Sequence, residues 1–146
     1  MDRPAFTIIL FYKFVHIRNP KRLAELHRAR CMELGLKGRI IIAEEGINAT
    51  LEGSSKSIAA YKRFLRSDRL FADIIIKESP GTGSAFPRLA VKVRDEVVTL
   101  GAGKFNIRKD TAKRLPAREL EKLYKSDEDF VVLDLRNDYE TASGKF

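Results

Sequence analysis

The chain has no tryptophan, one cysteine and two histidines among its 146 residues. A single cysteine excludes an internal disulfide framework and suits a reducing compartment, with the cytoplasm as the default. One cysteine and two histidines are also too few for a structural zinc site, which takes four such ligands. We therefore predict a cytoplasmic protein without a structural zinc site, and no metal site is assigned, although a metal bound by carboxylates alone stays open.

Long hydrophobic runs are missing as well. The longest apolar stretch, Phe6 to Tyr12, is interrupted by Thr7 and is far shorter than the roughly 20 residues that a membrane-spanning helix needs. The N-terminus lacks the apolar segment and the small-residue cleavage site of a secretory signal peptide. The sequence predicts no membrane partner.

Charge, in contrast, is plentiful and unevenly placed. Residues 1–115 carry 23 Lys and Arg against 12 Asp and Glu, a net of +11, whereas residues 116–146 carry 5 against 8, a net of −3. An excess of this size is typical of proteins that bind polyanions, because each neutralised phosphate releases counterions. A solvated basic surface without a partner explains the charge equally well, so composition leaves both interpretations open.

Blocks of β-branched residues alternate with blocks of helical periodicity in the first hundred residues. The predicted strands are 6–15, 38–43, 47–51 and 71–76, and the predicted helices are 21–34 and 57–66. The order β-α-β-β-α-β predicts a ferredoxin-like α+β sandwich, in which two helices cover one face of a four-stranded antiparallel sheet. Segments 89–94 and 96–100 predict an added edge hairpin.

The end of the chain has a different pattern. Residues 101–115 contain two glycines and five Lys and Arg, which predicts an exposed linker, and 116–125 predicts a short helix. Residues 130–136 are almost continuously apolar, like a strand inside a parallel sheet, but only ten residues follow them. We expect one domain at 1–100, a linker at 101–115 and the truncated beginning of a second domain at 116–146.

A polar cluster lies on the connection between the second and third predicted strands. Glu44 and Glu45 precede Gly46, and Asn48 follows, so two carboxylates and an amide can point into one site. A simple turn explains the same residues, because glycine tolerates positive φ and asparagine caps loops. The sequence leaves a site and a turn equally open.

Basic and aromatic residues also share strand faces. Lys92 and Arg94 are two positions apart, as are Phe11 and Lys13, so each pair points to one side of its strand. A basic and aromatic sheet face is how open α+β sheets bind single-stranded RNA. From sequence alone we favour the alternative, in which Phe11 belongs to the core and the cations are solvated.

The other chemically suggestive residues have structural explanations. His27 and Cys31 fall on the apolar side of the first helix, where we predict both in the core. The loop Gly81–Ser84 contains a Gly-x-Gly pattern without a helix start behind it. It predicts a connection rather than a phosphate cradle.

Four segments together resemble one family, the rhodanese-domain-containing bacterial tRNA uridine 5-hydroxylases. They are Phe11-Tyr12-Lys13-Phe14; Gly38-Arg39-Ile40 with Ala43-Glu44-Glu45-Gly46-Ile47-Asn48-Ala49; Val91-Lys92-Val93-Arg94-Asp95-Glu96-Val97-Val98; and Leu133-Asp134-Leu135-Arg136-Asn137-Asp138-Tyr139-Glu140. Their order and spacing agree over nearly the whole chain. The segment around Gly46 is the most specific, although Glu44 stands where the family has histidine. The last segment is a general mark of the early part of a rhodanese domain.

The resemblance implies a ferredoxin-like, acylphosphatase-like domain followed by a rhodanese domain. The implied enzyme is an oxidoreductase of tRNA modification that hydroxylates carbon 5 of the wobble uridine (U34) of tRNA, with molecular oxygen as co-substrate. Any further cofactor stays unknown. The family's essential cysteine would lie beyond Phe146, so we expect no catalytic residue here and an inactive fragment.

We expect the first domain to engage tRNA. Arg39, Lys92 and Arg94 are the candidates for phosphate contacts, and Glu45 and Asn48 are the candidates for shaping a substrate site. The alternative is that the domain is a protein-interaction or scaffold module of a rhodanese-type sulfurtransferase, because fold does not fix function. The oligomeric state is not predicted.

Overall fold

Strands and helices alternate through the first two thirds of the chain in the predicted order. The computed structural model describes residues 5–98, 112–113, 115–142 and 144, and the chain divides into two units, Met1–Lys109 and Asp110–Phe146. In the first unit the elements are β1 (Phe6–Phe14), α1 (Pro20–Glu33), β2 (Lys37–Ala43), β3 (Gly46–Ser54), α2 (Ser55–Ser67), β4 (Ile76–Gly81) and β5 (Leu89–Val93).

The strands form one mixed sheet in the spatial order β4-β1-β3-β2-β5. The first four strands are antiparallel to their neighbours, and β5 runs parallel to β2. This arrangement confirms the ferredoxin-like, acylphosphatase-like α+β prediction. In the register of the central pair, Phe6 lies opposite Ser54 and Phe14 lies opposite Gly46, so the full length of β1 is paired.

Local sequence signals set the ends of both helices. Pro20 stands in the first turn of α1, and the Asn19 side chain accepts a hydrogen bond from the Arg22 N–H at 3.0 Å, which satisfies a backbone donor that the helix itself cannot. Ser54 caps α2 by accepting from the Ser57 N–H at 3.1 Å. These caps explain why α1 begins at Pro20 and α2 at Ser55.

Two glycines allow the backbones of neighbouring strands to approach closely. A Cβ on Gly46 would lie 2.2 Å from the Lys13 carbonyl oxygen, and one on Gly38 would lie 2.2 Å from the Thr50 carbonyl oxygen. Neither distance is compatible with a side chain. The Gly46 position in the most specific segment of the sequence is therefore explained by the β1–β3 contact.

The core lies between the helices and one face of the sheet. Its fully buried members include Phe11, Tyr61 and Phe71, each with at most 1 % of its surface exposed. The alternation of β1 buries Ile9 and Phe11 and exposes the residues between them. One face of the sheet is thereby committed to packing.

The predicted strand at 71–76 is wrong in its position. Residues 71–73 form a turn: Phe71 N–H donates to the Asp68 carbonyl at 2.9 Å and Ile74 N–H donates to the Phe71 carbonyl at 3.0 Å. The apolar side chains of Phe71 and Ile74 are buried from this turn rather than from a strand. Strand β4 starts only at Ile76 and continues through polar residues, because an edge strand needs few apolar side chains.

The predicted edge hairpin is also corrected. Its first half is β5, which pairs in parallel with β2, but residues 94–98 form no strand, and Thr99 and Leu100 lie outside the described residues. Val97 N–H donates to the Glu45 side chain at 2.7 Å instead of to a neighbouring strand. The chain after β5 thus returns to the β2–β3 connection.

The second unit contains α3 (Ala117–Tyr124) and α4 (Asp138–Thr141). The helix expected at 116–125 is confirmed with a shift of one residue at each end. Residues 130–136 form no strand, and Val131 and Leu135 are 91 % and 87 % exposed, because the described part of this unit offers no strand for them to pair with. Most of the predicted linker at 101–115 lies outside the described residues, and the domain boundaries stay a prediction.

Candidate nucleic-acid interface

The face of the sheet opposite α1 and α2, called the open face below, carries cross-strand rows of side chains. One row comprises Lys77, Leu10, Thr50, Arg39 and Ala90, and the next comprises Tyr12, Asn48, Ile41 and Lys92. Side chains directly opposite each other in a sheet are in contact range. The open face therefore places Arg39, Asn48 and Lys92, three of the predicted site residues, on one surface.

The cations of the open face are exposed and unopposed. Lys37, Arg39, Lys77 and Lys92 all occupy its paired positions and all are solvent-exposed. Within the described residues none of them takes part in a salt bridge; those found there join other pairs. A cation outside any salt bridge can attract an external anion with its full charge, whereas the charge of a cation in a salt bridge is already balanced by its internal partner.

The paired positions of the open face include one carboxylate, Glu52, and it is not available to repel an anion. Glu52 is only 2 % exposed. Its Oε1 accepts from the N–H groups of Thr82 and Gly83, both at 2.8 Å, and its Oε2 accepts from Ala85 N–H at 2.8 Å. The N–H groups of this loop thus bind the protein's own carboxylate, in agreement with the prediction that the loop is a connection rather than a phosphate cradle.

Burial raises the pKa of Glu52, but the backbone N–H groups that surround it lower the pKa by more. The largest of these contributions comes from Gly83, followed by Thr82, Ala85 and Phe86, and the net result lies below the usual value for glutamate. Hydrogen bonds to an ionised carboxylate favour its charged form. Glu52 therefore remains ionised and holds the loop after β4 against the sheet.

Asn48 occupies the middle of the second row. It lies opposite Tyr12 on β1 and opposite Ile41 on β2, and it is half-buried. A carboxamide both donates and accepts hydrogen bonds. This position, between an aromatic ring and the Ile41–Lys92 pair, allows Asn48 to contact a polar group that lies flat on the sheet.

The Glu44–Glu45 connection is fixed from two sides. The Glu44 carbonyl accepts from Ile17 N–H at 2.8 Å, and the Glu45 carbonyl accepts from Val15 N–H at 2.9 Å. The Glu45 side chain is half-buried and accepts from Val97 N–H. These bonds favour the turn interpretation for Glu45, because its carboxylate anchors a loop, while Glu44 is exposed.

Arg94 lies just beyond the end of β5. Its N–H continues the pairing by donating to the Ile42 carbonyl at 2.9 Å, and its side chain is exposed. Arg94 is therefore at the rim of the open face, next to the row that ends at Lys92.

The aromatic residues of the open face differ from those that the sequence suggests. Phe11 is 1 % exposed and faces the helices, and Lys13 Nζ donates to the Leu70 carbonyl at 2.7 Å and pairs with Asp73. The alternative explanation is therefore confirmed for Phe11, which belongs to the core, but not for Lys13, which is hydrogen-bonded and ion-paired rather than simply solvated. The exposed large apolar residues of β1 have the opposite parity: Phe6, Leu10, Tyr12 and Phe14 are 38 %, 40 %, 47 % and 42 % exposed.

Tyr12 and Phe14 are neighbours on this face, with ring centroids 6.4 Å apart and planes at 71°. Sequence reasoning missed them because every position of β1 but two is apolar, and an unbroken apolar run carries no alternation that distinguishes its faces. Only the register of the strand pairing shows that Tyr12 and Phe14 lie on the same face of the sheet as Asn48 and Lys92.

His27 and Cys31 lie in the core, as predicted, at 2 % and 0 % exposure. His27 Nδ1 is hydrogen-bonded to the Tyr61 hydroxyl at 2.7 Å. Burial lowers the pKa of His27 to about 4, against an opposing effect of Asp68. Burial also raises the pKa of Cys31 to about 12, so Cys31 is not a reactive thiolate.

The connection between β1 and α1 borders a cavity of about 500 Å³. Its lining includes His16, Arg18 and Arg22, and it adjoins Asn19, whose side chain is used to cap α1. This basic cavity opens beside the first helix rather than on the open face. None of the predicted site residues lines it.

In the second unit, the segment typical of rhodanese domains forms a local network. Asp134 accepts from Arg136 through both backbone and side chain, at 3.1 and 2.6–3.2 Å. Hydrogen bonds from Arg136 lower the pKa of Asp134. Glu140 and Asn137 form a reciprocal cap at the start of α4. These residues are explained by local structure.

Among the described residues, no helix is long and apolar enough to cross a membrane. Over the same residues, no group of three or more His, Cys, Asp or Glu side chains is placed to hold a metal ion. The open face is therefore the strongest candidate site that the first unit presents.

Residues 6–97 match the family described as the UPF0176 acylphosphatase-like domain. The chain belongs to this family. The matched range contains all five strands and both helices of the first unit, and it includes Arg39, Glu45, Asn48, Lys92 and Arg94. The UPF0176 domain thus coincides with the part of the chain that forms the open face.

Curated relatives extend the match to almost the whole chain. A protein of Bacillus licheniformis named tRNA uridine(34) hydroxylase is 40% identical over 142 residues, which cover 97% of this chain and 44% of that protein. A protein of Cytophaga hutchinsonii with the same name is 38% identical, with coverages of 97% and 45%. The chain therefore spans a little under half the length of the curated relatives it matches.

Among solved structures, BlrB, a BLUF protein in its dark state, superposes with a TM-score of 0.53. The two chains are 20% identical, and the match covers 85% of this chain and 87% of BlrB. At this identity the similarity supports the fold of the UPF0176 domain alone.

Proposed function

We propose that this chain is the N-terminal part of an oxygen-dependent hydroxylase of the wobble uridine of tRNA, and that its UPF0176 domain engages the tRNA. The relatives that carry the name tRNA uridine(34) hydroxylase match 97% of the chain. The observation that supports tRNA engagement is the open face, where four exposed cations take part in none of the salt bridges found within the described residues. The proposal places the protein in the cytoplasm, where its substrate is.

The charge of the open face suits an RNA backbone. Each Lys or Arg that neutralises a phosphate releases condensed counterions, which makes binding favourable and strongly salt-dependent. Arg39 and Lys92 lie in adjacent rows of the sheet, and Arg94 extends the basic surface at the rim. We assign these three residues to phosphate contacts and Asn48 to the substrate itself.

Catalysis is assigned to residues outside this chain. Cys31 is fully buried and its pKa is about 12, so it does not provide the accessible thiolate that a catalytic cysteine requires. The family resemblance implies a cysteine in a rhodanese domain. In this proposal residues 116–146 begin that domain, and Glu45 supports the site indirectly by holding the chain after β5.

Binding of the whole chain to unmodified tRNA is tested by titration at several salt concentrations. The tRNA carries a wobble uridine. The double variant Arg39→Ala and Lys92→Ala should weaken binding and reduce the slope of log affinity against log salt by about 1.5, because two phosphate contacts are lost. The matched control is Lys56→Ala with Arg63→Ala, two exposed cations on α2 in the opposite layer. If both double variants lower the slope equally, the open face is not the interface.

The hydroxylation itself is tested in the organism whose genome encodes this chain. Deletion of its gene should lower the mass of the wobble uridines by the mass of one oxygen atom, as measured by mass spectrometry of purified tRNA. Unchanged tRNA together with thiosulfate:cyanide sulfurtransferase activity in the gene product would favour the alternative of a scaffold module in a sulfurtransferase.

A further inference from the structure

The aromatic residues of the open face indicate the form in which RNA binds. We propose that the open face binds unpaired nucleotides, with one base stacked on Tyr12 and its polar edge in contact with Asn48, and with a neighbouring base stacked on Phe14. This inference rests on the proposed function and specifies it: the ligand is a single-stranded loop rather than a duplex. Neither ring is part of the candidate set derived from the sequence.

The first argument is exposure. Tyr12 and Phe14 are 47 % and 42 % exposed at the end of β1, beyond its pairing with β4, although aromatic side chains release the most free energy when they are covered. Base–aromatic stacking is the usual way in which open sheets bind single-stranded nucleic acid. In a duplex the faces of the bases are covered by their neighbours, so a duplex cannot use these rings.

The second argument is orientation. The two rings have centroids 6.4 Å apart and planes at 71° to each other. Bases stacked face to face on both rings would be inclined by a similar angle, whereas successive bases in a helical stack are nearly parallel. Nucleotides that use both rings must therefore be splayed apart, as they are in loops and single strands.

The third argument is the distribution of charge around the rings. Lys92 lies in the same cross-strand row as Tyr12, and Arg39 and Lys77 lie in the neighbouring row, on either side of Leu10. Cations in the rows beside exposed aromatic rings match a ligand with flat apolar bases and a charged backbone. An apolar protein surface would leave these cations desolvated without partners.

Asn48 lies in the same row as Tyr12. A base stacked on Tyr12 would extend its hydrogen-bonding edge over the neighbouring strand, where the Asn48 amide offers both a donor and an acceptor. The Watson–Crick edge of uracil needs one of each. We therefore expect Asn48→Ala to weaken binding to uridine-containing strands more than binding to strands of other bases.

The test uses a short oligouridylate, free or annealed to its complement, with the whole chain. The chain has no tryptophan and four tyrosines, so quenching of tyrosine fluorescence reports stacking on Tyr12. We expect the single strand to bind, to quench, and to bind about tenfold more weakly to Tyr12→Ala. Tyr12→Phe should bind normally with little quenching.

Two controls separate stacking from folding. Tyr12→Leu keeps an apolar side chain on β1 but no ring, and should bind as weakly as Tyr12→Ala. Tyr139→Ala removes a 77 % exposed tyrosine in the second unit and should bind normally. Circular dichroism checks that each variant has the fold of the parent.

The outcomes distinguish this inference from the proposed function. If RNA binds but the duplex binds as well as the single strand, or if Tyr12→Leu binds normally, the stacking inference is overturned while tRNA engagement survives. If neither RNA binds, both fall. If sedimentation shows a dimer that Tyr12→Ala dissociates, the open face is a protein interface and the inference is wrong.

Discussion

Acid should destabilise the first unit through His27, and the effect can be worked out from the structure. The imidazole is 2 % exposed and lies among the rings of Phe64, Tyr61 and Phe71, at centroid distances of 5.2, 5.9 and 6.2 Å. Burial lowers its pKa from 6.5 to about 4, although Asp68 acts in the opposite direction. Folding therefore requires the neutral imidazole.

The sign and size follow from proton linkage. Between pH 6.5 and 4 the unfolded chain binds a proton at His27 that the folded chain does not, so the stability contributed by neutral His27 is present above pH 6.5 and is lost as pH falls. With these two pKa values, the free energy of unfolding should drop by about 2 kcal/mol between pH 7.5 and pH 5.0 from this residue alone.

The assay is urea unfolding followed by far-UV circular dichroism at both pH values, for the parent and for His27→Gln. Glutamine cannot take up a proton in this range, so the drop should be smaller in the variant by about the amount attributed to His27. Titration of the imidazole signals by NMR gives the pKa directly. A His27 midpoint near 6.5, or equal pH dependence in parent and variant, would show that burial does not hold the imidazole neutral.

Three further outcomes are expected. Cys31, with its pKa near 12 and no exposed surface, should react with a thiol reagent only at the rate of unfolding, measured by mass spectrometry; rapid labelling of the folded chain would contradict its burial. Glu52→Gln should speed amide hydrogen exchange in residues 82–85 about tenfold, because charged hydrogen bonds are the stronger ones; unchanged exchange would mean that the loop is held by something else. Gly46→Ala should destabilise the fold by about 3 kcal/mol because its Cβ meets a carbonyl oxygen, whereas Gly35→Ala, with open space around it, should cost about 1 kcal/mol for its positive φ alone; equal losses in chemical denaturation would refute the close-approach explanation.

The order of elements in the first unit was predictable because each helix has a cap and a periodic apolar side. In the structure, Asn19 caps α1 and Ser54 caps α2. The predicted strand at 71–76 was wrong in its position. An apolar run indicates that its side chains are buried, but it does not show whether the backbone that carries them is a strand or a turn. Phe71 and Ile74 are buried in either case, and only tertiary contacts decide.

The candidate site was predictable in part for a related reason. Arg39, Asn48 and Lys92 were chosen separately, and the register of β3 with β2 and of β2 with β5 brings them together. The sequence analysis correctly favoured Phe11 in the core, but it did not identify Tyr12 and Phe14 as the exposed aromatic residues of β1. In a strand that is apolar at nearly every position, periodicity cannot tell Phe11 from Tyr12; the helices that cover one side make that distinction.

The composition of β4 has a consequence for how the sheet meets other molecules. Its six residues include Lys77, Glu78 and Pro80, and β4 pairs only with β1 among the described strands. A proline lacks the N–H that a further strand would need, and charged side chains on an edge disfavour strand addition. Extension of the sheet by a second chain, the common route to aggregation of small β-containing domains, is therefore hindered at this edge. Substituting Pro80 in a truncated version used for crystallisation or NMR would remove that safeguard.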